Sequence, residues 1–300
     1  MPRGTEAQSV SASATRREGA VLDLSDHSRP QRILHDYHVH SHFSCDAEAS
    51  MDAMCQAAIN SGIHELGFSD HFDLHPNEPF RNYLDLESWW HSFEACKVKF
   101  SDALVLRAGV EVGEPHRFPQ QVERLLQEYP WDFILGSLHW VGDSCVFDRA
   151  FFQNDEHSAY LAYFRELEHL VDDGVFDVLA HFDVVKRYGY EHYGEFQPEQ
   201  YEDQIRRILH KLAERSLAIE INTSTLRRSI QMPSPDSRIL QWFLEDGGRL
   251  VTLGSDAHIP QDVGFGLEPM QTMVRSVGYR GLVQYENRQG VIVDFGEYGN

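Results

Sequence analysis

Residues 33–40 read Ile-Leu-His-Asp-Tyr-His-Val-His, and residues 250–256 read Leu-Val-Thr-Leu-Gly-Ser-Asp. Each is a short apolar run that breaks into histidine or carboxylate at its C-terminal end. Runs of this kind, bounded by polar residues or glycine, predict β-strands. Five more lie between them, at 64–70, 104–113, 132–139, 176–183 and 217–224. Helical spacing of apolar residues fills the gaps at 49–61, 86–100, 119–129, 159–172, 198–215 and 234–247, with a last helix at 262–277. Pro119, Pro198 and Pro235 stand where a first-turn proline is tolerated. Short strands at 282–285 and 291–295 flank an Asn-Arg-Gln-Gly turn. Seven strand–helix units predict an α/β fold, a distorted TIM-like (β/α)7 barrel. An open doubly wound sheet is the alternative, but it would spread the strand ends over too wide a front.

The strand ends carry the chemistry. His38 and His40 close the first strand, and a spacing of two puts both side chains on one face. His71 follows the second strand, Glu111 ends the third, and His139 and His181 end the fourth and fifth. Asp256 and His258 follow the seventh, and Asp46 lies beyond the first. Strand ends of a parallel barrel meet at one mouth. Imidazole and carboxylate together suit Zn²⁺, Fe²⁺ or Mn²⁺. One buried histidine has an ordinary packing explanation. Nine donors gathered in one place do not, because uncompensated buried polar groups are costly. The pattern predicts a multinuclear metallohydrolase. Asp36, Asp70 and Asp183 are candidates for orienting the histidines, with strand-end capping as the alternative.

Composition narrows the partners. The net charge of −21 over 300 residues argues against a nucleic-acid polymer, which needs a basic surface. It leaves room for a small phosphorylated substrate, since bound divalent cations reverse the field locally. Four cysteines, none in a CxxC pair, read as free thiols of a reducing, cytoplasmic setting. No apolar run reaches membrane-spanning length. Residues 1–30 show no secretory signal and are expected to form a disordered tail, with a targeting segment as the alternative, and residues 31–300 one barrel domain. Oligomeric state is open.

The segments DYHVHSHFSCDA, GFSDH, GVEVG, DFILGSLHWVG, AHFDVVKRYG, EINTSTLRR and GSDAHIPQDVGFG together resemble the PHP (polymerase and histidinol phosphatase) family. More narrowly they are similar to its monofunctional histidinol-phosphate phosphatases. The resemblance spans residues 36–295. It implies two or three divalent metal ions (Zn, Fe or Mn). His38, His40, Glu111 and Asp256 would hold the first. Glu111 would bridge to the second, completed by His139 and His181. Asp46, His71 and His258 would hold the third, where relatives often place histidine instead of Asp46. Glu111, Asp256 and His258 would be the catalytic members of this set.

The implied reaction is hydrolysis of L-histidinol phosphate to L-histidinol and phosphate, in histidine biosynthesis. A bound metal brings the pKa of water down to about 7, so no serine or cysteine nucleophile is needed. Arg187 and Arg227, in loops beyond the fifth and sixth strands, would clamp the phosphate, because a guanidinium meets its oxygens bidentately. Lys186 and Arg228 are the neighbouring alternatives. His75 and His116 are candidates for the pocket wall or for local hydrogen bonding, and Trp140 for packing or the pocket. Two further readings stand beside this one: a phosphoesterase acting on another small phosphate such as a nucleotide, and a non-catalytic metal-stabilised module.

Overall fold

The structure is a computed structural model and describes residues 33–296. The expectations for residues 1–30 lie outside them. In chain order the elements begin with β1 (Ile33–Val39), α1 (Met51–Asn60), β2 (Ile63–Phe68), β3 (His71–Phe72), α2 (Leu86–Lys99) and β4 (Val105–Gly113). Next come α3 (Pro119–Glu128), β5 (Phe133–Ser137), β6 (Trp140–Val141), β7 (Ser144–Cys145), α4 (Glu156–Asp173), β8 (Val178–Leu179) and α5 (Val185–Tyr193). The series closes with α6 (Glu202–Glu214), β9 (Ala218–Asn222), α7 (Ser237–Glu245), β10 (Val251–Gly254), α8 (Leu267–Val277), β11 (Gly281–Glu286) and β12 (Gln289–Asp294).

The main sheet runs β1-β2-β4-β5-β8-β9-β10, all parallel, in the order the chain makes its strands. A doubly wound sheet would reverse direction at a switch point, so the sequential order excludes that alternative. Closure comes from the outermost strands. Val39 and Ala257 form a parallel bridge, with His40 N donating to Ala257 O at 2.9 Å and Ala257 N to His38 O at 3.3 Å. The result is a nearly closed seven-stranded barrel.

Local chemistry sets the element boundaries. Ser50, Asp85, Asp155 and Asp236 cap α1, α2, α4 and α7 through their side chains, satisfying N–H groups that have no partner in the helix. Pro119 takes the first position of α3. Pro198 opens a 3₁₀ turn ahead of α6. Pro235 does not start α7: it precedes the cap, and Asp236 sets the start by accepting from Arg238 N and Ile239 N. α5 was not expected from the sequence. Gly189 lies within it, where a side chain would collide with the Tyr160 hydroxyl.

The barrel interior is filled by Tyr37, Phe133, Leu135, Val178, Ala180 and Ala218. Phe133 fits because Gly67 and Gly109 have no side chains: a Cβ at either would fall 2.2–2.7 Å from its ring. One extra residue in β1, between Asp36 and Val39, shifts the pairing with β2. Tyr37 and His38 therefore both serve the interior, Tyr37 by stacking on Phe133 with centroids 4.7 Å apart. The β11–β12 hairpin adds Val283 and Tyr285 to the same cluster and closes the N-terminal end. Among the described residues no helix is long and apolar enough to cross a membrane.

Candidate metal centre

The C-terminal mouth gathers all nine expected donors around Glu111. This carboxylate is 1% exposed at the end of β4. Its Oε2 lies 3.0 Å from His71 Nδ1, 3.3 Å from His38 Nε2 and 3.6 Å from His40 Nε2. Its Oε1 lies 2.9 Å from His181 Nε2 and 3.4 Å from His139 Nε2. Asp256 Oδ1 approaches His38 and His40 at 3.8 and 3.6 Å. Asp46 Oδ2 lies 3.0 Å from His258 and 3.7 Å from His71. The broken second barrel strand explains the placement of His71: β3 resumes the pairing with β4 and sets His71 directly opposite Glu111.

These spacings match the edges of coordination polyhedra. Metal–ligand bonds of about 2.0–2.1 Å at tetrahedral angles place donor atoms roughly 3.3 Å apart. Three-donor groups that meet the distance requirement are His38–Glu111–His181, His38–His40–Asp256, His40–His71–His258 and His71–Asp73–His139. His40 thus sits between the expected first and third groups, and Asp73 joins a set the sequence reading did not include.

The inward atoms are also unsatisfied. Among the described residues, His38 Nε2, His40 Nε2, His71 Nδ1 and Glu111 Oε2 are buried without a hydrogen-bond partner. Such a cluster is expensive unless something fills it, and a divalent cation suits the donor set. Burial alone would raise the Glu111 carboxyl, but the His38 and His71 imidazoles and bonds from His139 and His181 hold it well below the usual range. Asp256 is likewise held low against burial, by His38, His40 and His258. Burial opposes protonation of His139, yet Asp73 and Glu111 push its pKa up to about 10. His40 moves the other way, to about 3, through burial and the neighbouring His258 and His71.

Outer partners fix the rings. His38 Nδ1 lies 2.7 Å from Glu220 Oε1, and Glu220 Oε2 accepts from His181 N at 2.7 Å. His40 Nδ1 lies 3.0 Å from Ser44 Oγ, which donates to Asp70 Oδ1 at 2.8 Å. Asp70 therefore reaches a histidine through Ser44, with Trp89 and Ser41 holding it in place. Asp36 orients no imidazole. It accepts from the backbone of Ser255, Gly264 and His38, the capping alternative, and burial pushes its pKa up to about 6 against those bonds. Asp183 pairs with Lys186 at 2.7 Å and Ser234 at 2.5 Å, away from any imidazole. Glu220, Asp73 and Glu114, which accepts from His139 N and Trp140 N, were not singled out in the sequence. Acidic side chains inside a strand or turn carry no local mark of this role.

A cleft of about 590 Å³ opens over the donors, lined also by Phe147, Val184, Arg187, Tyr188, Arg227 and Arg228. Arg187 lies over the Tyr188 ring at 5.1 Å, and its guanidinium has no hydrogen-bond or ion-pair partner among the described residues. Arg227 is largely committed: it donates to Ser255 O at 2.9 Å and Asp256 O at 3.0 Å and pairs with Asp262 at 3.2 Å. Lys186 is 1% exposed and bound to Asp183 and Pro233 O, so it does not serve the cleft. His75 and His116 bond locally, to Gly142 O and Glu166, and Trp140 stacks on His75.

A model of the PHP domain matches residues 36–224. The chain belongs to the PHP domain family. Among similar proteins, the histidinol-phosphatase of Lactococcus lactis is 28% identical over 257 residues, covering 83% of this chain and 93% of that protein. A probable histidinol-phosphatase of Deinococcus radiodurans is 28% identical over 263 residues, covering 85% and 98%. The crystal structure of the Lactococcus lactis histidinol phosphate phosphatase, complexed with zinc, L-histidinol and phosphate, superposes with a TM-score of 0.80 at 26% identity. It covers 86% of this PHP chain and 99% of that one.

Proposed function

We propose that this PHP protein is a metal-dependent phosphomonoesterase that hydrolyses L-histidinol phosphate to L-histidinol and phosphate. The observation that carries the reading is the cluster of unsatisfied inward donors around Glu111 at the mouth of the cleft. Likeness to an enzyme crystallised with zinc, histidinol and phosphate supports the choice of substrate. His38, His40, Glu111 and Asp256 would hold one cation, Glu111, His139 and His181 a second, and Asp46, His71 and His258 a third, as zinc, iron or manganese. When bound, such cations supply positive charge to phosphoryl oxygens and make water acidic enough to act at neutral pH.

The chain's own residues do the rest. Arg187, whose guanidinium has no partner among the described residues, would take phosphoryl oxygens bidentately. Arg227 has two of its five N–H donors left for the same purpose. Of the other three, one pairs with Asp262 and two hold the Ser255–Asp256 turn, where Asp256 takes a φ of +53° that a non-glycine residue rarely adopts. Phe147, Val184 and Tyr188 form an apolar wall that excludes water from the organic part of the substrate. The four cysteines are free thiols, which fits a cytoplasmic biosynthetic enzyme.

A phosphate-release panel tests the assignment, comparing histidinol phosphate, a nucleoside bisphosphate and simple alkyl phosphates. Histidinol phosphate should give the highest kcat/KM, and chelator treatment should abolish turnover. Equal, slow hydrolysis of every monoester would contradict the substrate. Full activity after complete chelation would contradict the metals.

A further inference from the structure

We infer that Glu220 is a positioning residue that ties two of the metal-ligand groups together, a role that rests on the metal-dependent reading above. Glu220 is 1% exposed on β9. One carboxylate oxygen faces His38 Nδ1 at 2.7 Å. The other accepts from the backbone N–H of His181 at 2.7 Å and from Asn222 Nδ2 at 3.2 Å. Space for it is made by Gly254 on the adjoining strand, where a Cβ would fall 2.0 Å from Glu220 Oε1.

Each contact has a distinct consequence. A carboxylate can only accept, so Glu220 keeps a proton on His38 Nδ1. That leaves the lone pair on Nε2, the atom that faces Glu111 and Asp256. The bond from His181 N acts on the backbone. His181 has a φ of +25°, a strained conformation that persists only where the surroundings enforce it. One buried side chain thus sets the tautomer of one ligand and the backbone of another.

Glu220→Gln separates this role from mere packing. The amide keeps the shape but must turn its NH₂ toward one partner. Facing His38, it drives the proton to Nε2 and blocks the donor atom. Facing His181, it sets N–H against N–H and releases the strained turn. Zinc competition titration with a chromophoric chelator, on the full-length protein, reads the effect. E220Q should bind zinc about 10–100-fold more weakly than wild type, while the metal-free form keeps its circular dichroism and melting temperature. E220D, which keeps the charge but withdraws it by one methylene, should also bind more weakly, and it carries the test if E220Q does not fold. Wild-type zinc affinity and stoichiometry in the folded variant would overturn the role of Glu220 alone. Wild-type protein that takes up no zinc would overturn the metal reading with it.

Discussion

At the N-terminal end of the barrel, Glu65, Asp132 and Asp177 are buried or nearly so, as Glu111 and Asp256 are at the other end. Each N-terminal carboxylate finds its partners within the chain. Glu65 takes the Tyr37 hydroxyl and Arg107 at 3.2 Å. Asp132 accepts from Ala108 N and Asn287 N. Asp177 accepts from Ile134 N and pairs with Arg288 at 2.9 Å. At the mouth, histidines replace arginines, and His38, His40, His71 and Glu111 turn unsatisfied atoms toward one another. Arginine cannot lose its proton, whereas imidazole can offer a lone pair. The contrast teaches that burial and charge alone do not mark a functional end. What marks it is a set of acceptors that nothing among the described residues completes.

The largest effect expected from that contrast is at the mouth. Glu111→Gln should lower kcat/KM on the order of 10³-fold, with the metal-free protein still folded but melting below wild type near neutral pH, since the ionised carboxylate contributes to its stability. Unchanged turnover would break the central role of Glu111. The converse holds within the barrel. Phe133→Ala removes the ring that fills the space left by Gly67 and Gly109, and should cost about 3–5 kcal/mol in denaturant unfolding. Its kcat in the folded state should stay close to wild type. A smaller loss, about 2 kcal/mol, is expected for Arg288→Ala, again with normal turnover below the melting transition. An Arg288 variant that lost zinc would show that the two ends are coupled.

The smallest effect is a difference in pH dependence. In metal-free protein the His139 pKa is raised to about 10. A raised histidine pKa stabilises the fold fully below the unfolded value of about 6.5 and loses that contribution as pH climbs through the folded value. The depressed pKa values of Glu111 and Asp256 act at the other limit, where stability falls as acid protonates them. The melting temperature of the metal-free form should therefore decline from pH 6.5 toward 10. Zinc-loaded protein should escape that decline, because ligation needs neutral imidazole. Parallel pH profiles for the two forms would contradict the sign.

The strand order and the gathering of the nine side chains at one mouth were legible because most of them stand where a short apolar strand gives way to a polar residue. The bulge in β1 was not, since an extra residue between Asp36 and Val39 leaves no composition signal. Arg227 was legible as a cleft residue but not as a brace, because the carbonyls it holds belong to Ser255 and Asp256, nearly thirty residues on. Glu220 and Asp73 escaped for a similar reason: their partners come from other strands. The N-terminal network of Arg107, Asp132, Asp177 and Arg288 likewise forms only when the hairpin turn at Asn287 and Arg288 reaches across the barrel.

Anomalous X-ray scattering from crystals grown with zinc tests the central claim most directly. Two or three peaks should lie at the mouth, within bonding distance of the His38, His40, Glu111, His139, His181 and Asp256 side chains, and none at the hairpin end. A mouth without an anomalous peak, with those imidazoles closed on the carboxylates alone, would contradict the account.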